Sequence, residues 1–400
     1  MISVEDAEKL VLSQSRDYGV DNIPLGEALG RILAEPVIAD RDFPPANRAT
    51  MDGVAINYRS FSKGQRMFSV KAVQPAGNKT VSISKPDQCI EIMTGAILDN
   101  TVDTVIRIED VDLRNGHALI TTDNITRGQF IHRRGVDKKR GDQVATAGSA
   151  ITPTTIAVLA SAGYSSVKVR KLPDIIIMTT GDELVGIDQK PRDYQLRRSN
   201  DWAIRSVLES LMIKTDTLHL PDNEQIIRQA ISESLKKYDV VLLSGGVSKG
   251  KYDYVQSCLD SLAVKKIFHG VSQRPGKPFW FGVSGSKLVF AFPGNPVSSL
   301  LCLYRYFVPW LTKSLGEMNK QQVNAILDES LPSNELLTQF VPANLSIDEF
   351  GQLCAAPIAN NGSGDFISLV KADAFVELPP SKSINQKGSP YRAWPFEHIA

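Results

Sequence analysis

The sequence predicts a multidomain protein in which a doubly wound, mostly parallel α/β ligand-binding domain is combined with β domains. Four hundred residues exceed what one hydrophobic core usually serves. Residues 171–316 alternate short apolar runs with glycine-containing loops and helical stretches, the pattern of a parallel sheet covered by helices. Residues 46–131 and 317–400 carry the short alternating runs of β-strands. The predicted domains are an N-terminal helical linker domain, an inserted β domain, the α/β domain and a C-terminal β-barrel-like domain, at residues 1–45 with 132–170, 46–131, 171–316 and 317–400.

Apolar periodicity predicts helices in the N-terminal linker domain. The first begins after Ser3, which can cap it, and the second follows Pro24 and stops at Pro36. A further helix is predicted in ITPTTIAVLASAG, with Thr152 as cap and proline at its first position. Because this helix lies downstream of the β segment, we expect it to rejoin the N-terminal helices and to leave the β domain as an insertion.

Short alternating runs predict the β domain. In VIRIEDVDLRNGHALITT two such runs are joined at Asn115-Gly116, a pair that suits the positive φ angles of a tight hairpin turn. In the α/β domain the strands are expected at DIIIMTT, YDVVLLS and KLVFAF. Ligands of such a sheet bind beyond the carboxyl ends of its strands.

Composition excludes several classes of protein. The 45 basic and 44 acidic residues nearly balance, which argues against a nucleic-acid binder or a membrane-surface protein. The four cysteines are far apart and form no CxxC pair, so they are expected to be reduced thiols and not a zinc site. The N-terminus lacks an apolar signal core. We therefore expect a cytoplasmic protein.

Two loops at predicted strand ends carry residues suited to phosphate chemistry. In LSGGVSKGKYDYV, glycines allow successive backbone N–H groups to turn toward an anion. In TTGDEL, Asp182 and Glu183 could hold Mg²⁺, which prefers one or two carboxylates with water and substrate phosphate. Taken singly, a tight turn explains the first loop equally well, and a helix start favouring acidic residues explains the second better.

Two further loops are rigid and carry cations or hydroxyls. AFPGNPVSSL fixes a turn around Gly294-Asn295 and places Ser298 at the head of a helix. RPGKPFWFG holds Arg274 and Lys277 beside a Pro-Gly turn, and rigidity lowers the cost of ordering cations around an oxyanion. A capped helix and solvated loop charges are the structural alternatives.

The four loops together favour phosphate-ester chemistry on an anionic substrate. If they share one cleft, they supply anion donors, acidic metal ligands and cations. Neither GxGxxG nor GxxxxGK[ST] occurs in this domain, so neither a dinucleotide fold nor a P-loop is indicated. The cysteines and five histidines are scattered and support no nucleophilic triad.

Seven motifs occur along the chain in this order: DRDFPPANRATMDGVAI, IMTGA, HRRGVDKKRGD, TTGDELV, LSGGVSKGKYDYV, RPGKPFWFG and FPGNPVSSL. Together they closely resemble the molybdopterin molybdenumtransferase family, which includes the C-terminal domain of gephyrin. The resemblance covers essentially the whole chain. It implies an elongated homodimer whose cleft lies between the α/β domain of one subunit and the β domain of the other. The implied reaction converts adenylylated molybdopterin and molybdate, with Mg²⁺, into molybdenum cofactor and AMP. It also allows a molybdopterin adenylyltransferase as a partner.

The resemblance assigns roles residue by residue. The implied catalytic residues are Asp52, Thr94, Glu183, Asp253 and Lys277, and Glu183 and Asp253 are the implied metal ligands. The residues implied to border the pterin-adenylate or the oxyanion are Thr180, Gly181, Ser199, Asn200, Asp222, Ser244, Gly245, Gly246, Ser248, Arg274, Gly294, Asn295, Ser298 and Ser363. Cations and hydroxyls are chemically suited to molybdate, a tetrahedral dianion.

Two departures from the family pattern concern the oxyanion pocket. The family often has lysine where this chain has Arg274, whose planar fork keeps the charge and changes the geometry. An arginine that the family often uses has no clear counterpart here, and Leu337 or Thr338 occupies its approximate place. Preference for molybdate over tungstate is therefore left open.

Three alternatives are weighed against this interpretation. The basic stretch HRRGVDKKRG is explained more simply as a solvated or interface surface than as a substrate contact. A non-catalytic molybdopterin-binding or scaffold protein would keep the glycine loops and lose the acidic residues or cations, which this chain keeps. An α/β nucleotide pyrophosphatase would need no molybdate and would leave three domains unexplained.

Overall fold

The computed structural model describes residues 1–247, 254–317 and 322–396. Its buried residues fall into separate clusters for the α/β sheet, the β segment after residue 46, the C-terminal strands and the N-terminal linker. Helical content is modest. None of the helices in the described ranges is both long enough and apolar enough to span a bilayer.

The N-terminal linker contains fewer helices than predicted. Helix Val4–Leu12 begins at Ser3, whose Oγ accepts a hydrogen bond from the Asp6 amide at 3.0 Å, and helix Pro153–Ser161 begins at the predicted cap. The other elements are paired strands, namely Val20–Pro24 with Ser166–Arg170 and Val37–Ile38 with Gln143–Ala145.

The predicted second helix after Pro24 is wrong. Only a 3-10 turn, Leu25–Glu27, forms there. Gly30 then adopts a φ of +77°, and the Leu33 amide donates to the Ser149 carbonyl oxygen at 3.0 Å. Pairing with a remote segment therefore overrides a helical apolar pattern that two glycines already weaken.

The β segment forms a mixed six-stranded sheet. Its hairpin turns at Asn115 and Gly116, both with positive φ, as predicted. The six strands are Gly53–Ile56, Met67–Gln74, Gln88–Ile92, Thr104–Arg107, Val111–Arg114 and His117–Ile120. Nearby elements are the strand pair Arg48–Ala49 with Ile131–His132, helix Tyr58–Ser62 and the 3-10 turn Ile108–Asp110.

The α/β domain is a six-stranded sheet with helices on both faces. Its strands are β1 (Ile175–Thr180), β2 (Thr215–Leu220), β3 (Val240–Ser244), β4 (Lys265–His269), β5 (Trp280–Ser284) and β6 (Lys287–Phe292), in the spatial order β2-β1-β3-β6-β5-β4. The first four in that order are parallel and the last two pairings are antiparallel. A short parallel pair, Leu184–Val185 with Leu196–Arg197, lies outside the main sheet.

Alternate residues of the strands face two different cores, which confirms the doubly wound prediction. One core contains helices α1 (Asn200–Ser210), α4 (Pro296–Cys302) and α5 (Val308–Ser314), the π-helical turn Leu303–Phe307 and the N-terminal helix Val4–Leu12. The other contains helices α2 (Glu224–Lys237) and α3 (Tyr254–Ser261).

The C-terminal strands close into a five-stranded barrel. The strands Val323–Leu327, Thr338–Ile347, Leu353–Pro357, Ala374–Leu378 and Pro390–Pro395 pair in a ring, with a 3-10 helix at Ile367–Lys371. Small residues such as Ala325, Ala343 and Ala355 fill its narrow interior. The two-residue strand Gln273–Arg274 of the α/β region pairs with Thr338–Ile347, so the barrel reaches the ligand edge of the sheet.

The barrel is attached to the rest of the chain through a buried ion network. Arg305, with 0% exposure in the π-helical turn, lies 2.9 Å from Glu8 Oε2 and 3.1 Å from Glu377 Oε2. Its guanidinium also lies 4.2 Å from the ring centroid of Trp394. Burial alone would raise the pKa of Glu8, but Arg305 and Arg392 outweigh burial and lower this pKa. One arginine thus joins the first helix, the α/β domain and the barrel.

Candidate functional site

The carboxyl ends of three parallel strands bring the predicted glycine loops into contact. Register places Thr179 beside Ser244 and Ser244 beside Phe292. Gly245 has a φ of +98°, and a Cβ there would lie 3.0 Å from both the carbonyl oxygen and Oγ1 of Thr180. A Cβ on Gly294 would lie 3.6 Å from the Gly245 Cα. Glycine is favoured at position 245 because its φ is positive and a side chain there would crowd the Thr180 backbone, whereas the contact at Gly294 is an ordinary one.

Asn200 holds two of these loops together. Its Nδ2 donates to Ser244 Oγ and to the Gly294 carbonyl oxygen, both at 2.8 Å. Ser244 Oγ also lies 3.5 Å from Ser299 Oγ. Ser199 occupies the cap position of α1 without a side-chain capping bond. With both amide hydrogens used, Asn200 offers a ligand only its carbonyl oxygen.

We expect Asn200→Asp to lower the free energy of unfolding by about 1–3 kcal/mol, the usual cost of leaving partly buried partners unsatisfied. The new carboxylate would face the Gly294 carbonyl oxygen and could no longer donate. Denaturant unfolding measures the change. Asn78→Asp, in an exposed loop, is the control. Equal stability of both variants would contradict the bracing role.

Acidic side chains gather at the ends of β1 and β2. Glu183 is exposed and folds back over Gly181, where a Cβ would lie 2.5 Å from Glu183 Oε2. Asp182 and Asp222 cap one another: the Asp182 amide donates to Asp222 Oδ2 at 3.3 Å, and the Asp222 amide donates to Asp182 Oδ1 at 3.0 Å. The predicted Glu183 therefore has two further carboxylates close to its loop.

The predicted metal pair can be described only in part. Asp253 and Ser248 lie outside the described residues, so their predicted roles stay predictions. Among residues 1–247, 254–317 and 322–396, no three His, Cys, Asp or Glu side chains are grouped closely enough to hold a metal ion. An ion at Glu183 would therefore share at most one further carboxylate of the described residues and would complete its shell with water, substrate phosphate or residues outside those ranges.

The cations lie on a loop that crosses the head of α4. Arg274 and Lys277 are both exposed, and the peptide between Arg274 and Pro275 is cis. We call residues 274–277 the cation loop. Gly276 has a φ of +86°, and a Cβ there would lie 3.6 Å from the carbonyl oxygen of the buried Ser298. The cation loop and the PGNP turn are therefore neighbours.

Ser363 reaches the same place from the C-terminal region. Asn295 Nδ2 donates to Ser363 Oγ at 2.7 Å, and the Val297 amide donates to the Ser363 carbonyl oxygen at 3.3 Å. The predicted Ser363 thus joins the loop of Gly294 and Asn295, although it is far away in the sequence.

Asp52 and Thr94 form a pair of their own. The Thr94 amide and Oγ1 donate to Asp52 Oδ1 at 2.6 and 2.8 Å, and these hydrogen bonds lower the pKa of Asp52. Within the described residues, no hydrogen bond or ion pair links this sheet to the strand-end loops. Asp52 and Thr94 therefore form a polar pair that shares no hydrogen bond or ion pair with Glu183 or Lys277 in the described part of the chain.

A buried polar group beside the acidic loop was missed by sequence reasoning. Asp201 is 5% exposed, its Oδ2 lies 3.7 Å from Arg198 Nε, and its Oδ1 has no hydrogen-bond partner among the described residues. His219 Nδ1 lies 3.1 Å from Thr179 Oγ1, and burial, followed by the charge of Arg198, lowers the pKa of His219. The charges flanking Ser199-Asn200 in RRSND were the available signal.

The basic stretch near residue 132 has surface character. Arg134 Nε lies 2.6 Å from Asp42 Oδ2, and His132 Nε2 lies 2.9 Å from Asp137 Oδ1. Arg133 and Arg140 are exposed. These pairs fit the simpler interpretation of a solvated or interface surface.

Comparisons with known proteins show which family this chain resembles along its length. Family models described as MoeA N-terminal region (domain I and II), probable molybdopterin binding domain and MoeA C-terminal region (domain IV) match residues 2–163, 176–313 and 324–396. A molybdopterin molybdenumtransferase of Synechocystis is 35% identical over 98% of this chain and 100% of its own. One from Haemophilus influenzae is 29% identical over 98% of this chain and 99% of its own.

A solved structure extends the similarity to the fold. The crystal structure of a molybdopterin biosynthesis MoeA protein from Pyrococcus horikoshii superposes with a TM-score of 0.83 at 28% identity, covering 99% of each chain. The similarity in sequence and in structure runs the full length of the chain, across the strand-end loops as well as the barrel. The chain belongs to the molybdopterin molybdenumtransferase family.

Proposed function

We propose that this protein inserts molybdate into adenylylated molybdopterin in a Mg²⁺-dependent reaction that releases AMP and molybdenum cofactor. The observation that carries the proposal is the contiguity of the strand-end loops. Gly245 lies against Thr180 and Gly294, and Gly276 lies against Ser298, so the acidic loop and the cation loop border one edge of the sheet. The relatives named as molybdopterin molybdenumtransferases support the same reaction.

The glycine loops and the cation loop at the carboxyl edge of the sheet each suit a different part of the substrates. Gly246 is partly exposed and Gly294 is exposed, and glycines at 245, 246 and 294 leave the backbone N–H groups of these loops free of side chains, which suits the phosphates of the adenylate. The cation loop supplies two charges for molybdate, a dianion, and Ser363 adds a hydroxyl beside Asn295. Positioned charges stabilise a developing negative charge better than water does, because they are already oriented.

Mg²⁺ fits the donors on the acidic side. Carboxylate oxygens at Glu183 and Asp222 are the hard ligands that Mg²⁺ prefers, and it commonly keeps waters and substrate phosphate as its other ligands. We propose that Glu183 holds the ion together with Asp253. When bound, Mg²⁺ would neutralise charge on the pyrophosphate.

We further propose that a homodimer completes the site. Asp52 and Thr94 carry the expected site chemistry on a separate sheet, and exposed apolar residues lie close to them in sequence. These residues are Met51, Ile97 and Ile108. A second copy of the chain would cover these three apolar side chains and bring Asp52 of one subunit to the strand-end loops of the other. We also propose a cytoplasmic location and delivery of the adenylate by a molybdopterin adenylyltransferase.

The experiment measures AMP release from adenylylated molybdopterin by the purified protein. We expect release only when both molybdate and Mg²⁺ are present. Release without molybdate would favour a nucleotide pyrophosphatase and contradict the proposal. Tight binding of the adenylate without release under any condition would favour a non-catalytic binding protein.

A further inference from the structure

Gln273 is a fully buried polar residue directly before the cation loop. Its side chain is 0% exposed, and the Tyr306 hydroxyl in the π-helical turn donates a hydrogen bond to its Oε1. Its Nε2 donates toward Cys302 Sγ at 3.7 Å. Tyr306 is 1% exposed and stacks on Phe279, with ring centroids 5.0 Å apart. Two buried polar side chains thus join the loop to the helix behind it.

The cation loop folds around this amide. A Cβ on Gly276 would lie 2.6 Å from Gln273 Nε2 and 3.1 Å from Cys302 Sγ, so the chain passes directly over the buried bridge. The Val271 amide donates to the Lys277 carbonyl oxygen at 2.9 Å and closes the loop. The backbone that carries Lys277 and Arg274 is therefore held in place by the buried Gln273 amide.

The same residue sets the register of the barrel. Gln273 pairs with Thr338, and Arg274 pairs with Gln339. The Thr338 amide donates to the Ser272 carbonyl oxygen at 3.0 Å. A shift of Gln273 would therefore move the cations relative to both α4 and the barrel.

We propose that Gln273 and Tyr306 form a positioning bridge that fixes Arg274 and Lys277 for the oxyanion substrate. The inference rests on the proposed function, in which these cations hold molybdate. Neither bridge residue is exposed, so neither is expected to touch the substrate. Burial raises the pKa of Tyr306 well above its usual range, so its hydroxyl keeps the proton that it donates. The bridge should act on molybdate and not on the adenylate, which lies at the glycine loops.

The test measures AMP release while molybdate and adenylylated molybdopterin are varied separately. Gln273→Met and Tyr306→Phe are each expected to raise the KM for molybdate about tenfold, the effect of one buried hydrogen bond lost with its partner left unsatisfied. The KM for the adenylate should stay unchanged. The double variant should raise the KM for molybdate no more than either single variant, because both remove the same interaction.

Two controls separate positioning from general stability. Phe307→Leu, a buried neighbour in the π-helical turn, should lower stability without changing the KM for molybdate. The inference is overturned if the bridge variants leave that KM unchanged, if their effects add in the double variant, or if Phe307→Leu matches them. Lys277→Met should raise the KM for molybdate strongly. If Lys277→Met raises this KM and the bridge variants do not, the positioning bridge is refuted and the role of the cation loop stands. If Lys277→Met leaves this KM unchanged, the proposed role of the cation loop is refuted together with the bridge.

Discussion

Gly245→Ala is expected to lower the rate of AMP release by about tenfold, because its loop must shift by a few tenths of an ångström and a misplacement of about 1 Å at a reacting centre costs about a hundredfold. The new Cβ would lie 3.0 Å from two atoms of Thr180, one of them a backbone carbonyl oxygen. The β1 and β3 loops would have to separate. That movement would also weaken the Asn200 contacts to Ser244 and Gly294. Single-turnover AMP release by the purified variant measures the effect.

Gly19→Ala is the matched control. Gly19 has a φ of +99°, close to the +98° of Gly245, but a Cβ there would have no neighbour within 4 Å. Both variants therefore place alanine at nearly the same positive φ, and only Gly245→Ala crowds a neighbouring loop. Gly19→Ala should keep normal turnover with slightly reduced stability. Equal turnover in the two variants would show that the crossing of the loops does not matter for the reaction.

Arg305→Met is expected to lower the free energy of unfolding by about 3–5 kcal/mol, the usual loss when one partner of a buried ion network is removed. Glu8 and Glu377 would keep their charges with fewer compensating donors. The barrel would lose one of its attachments to the first helix and to the π-helical turn. Denaturant unfolding, followed by tryptophan fluorescence, measures the change.

Arg114→Met tests whether burial is the reason why Arg305→Met lowers the free energy of unfolding. Arg114 also pairs with a carboxylate, at 2.8 Å from Asp112, but its side chain is 80% exposed. Exposed pairs contribute little, so the unfolding midpoint should not move. Adding Glu377→Gln to Arg305→Met should restore part of the lost stability, because one unpaired charge is removed. An Arg305→Met variant as stable as the original chain would refute the network's structural role.

The sequence predicted features whose cause is local. The Asn115-Gly116 turn, the parallel strands and the glycine loops depend on backbone conformations and short patterns that can be read directly. The helix after Pro24 failed because residues 25–33 form long-range pairs with residues near 150 and 169, which periodicity cannot detect. Tertiary pairing outweighs a weak local preference there.

The sequence suggests Glu183, Arg274 and Lys277 as site residues through their loops, and their roles stay predictions. The Gln273–Tyr306 bridge could not be predicted, because it joins side chains separated by 33 positions and depends on how the π-helical turn packs against the cation loop. Asp201 was not singled out from the sequence, because its burial depends on tertiary packing. Asp52 and Thr94 came from family resemblance, and they lie on a different sheet from the strand-end loops.

A crystal structure of the protein with AMP, Mg²⁺ and molybdate tests most directly the claim that these loops bind one polyanionic substrate pair. We predict the phosphate against Gly245 and Gly246, and molybdate in contact with Lys277 and Arg274. Molybdate bound away from the cation loop, with AMP in a separate cavity, would contradict it.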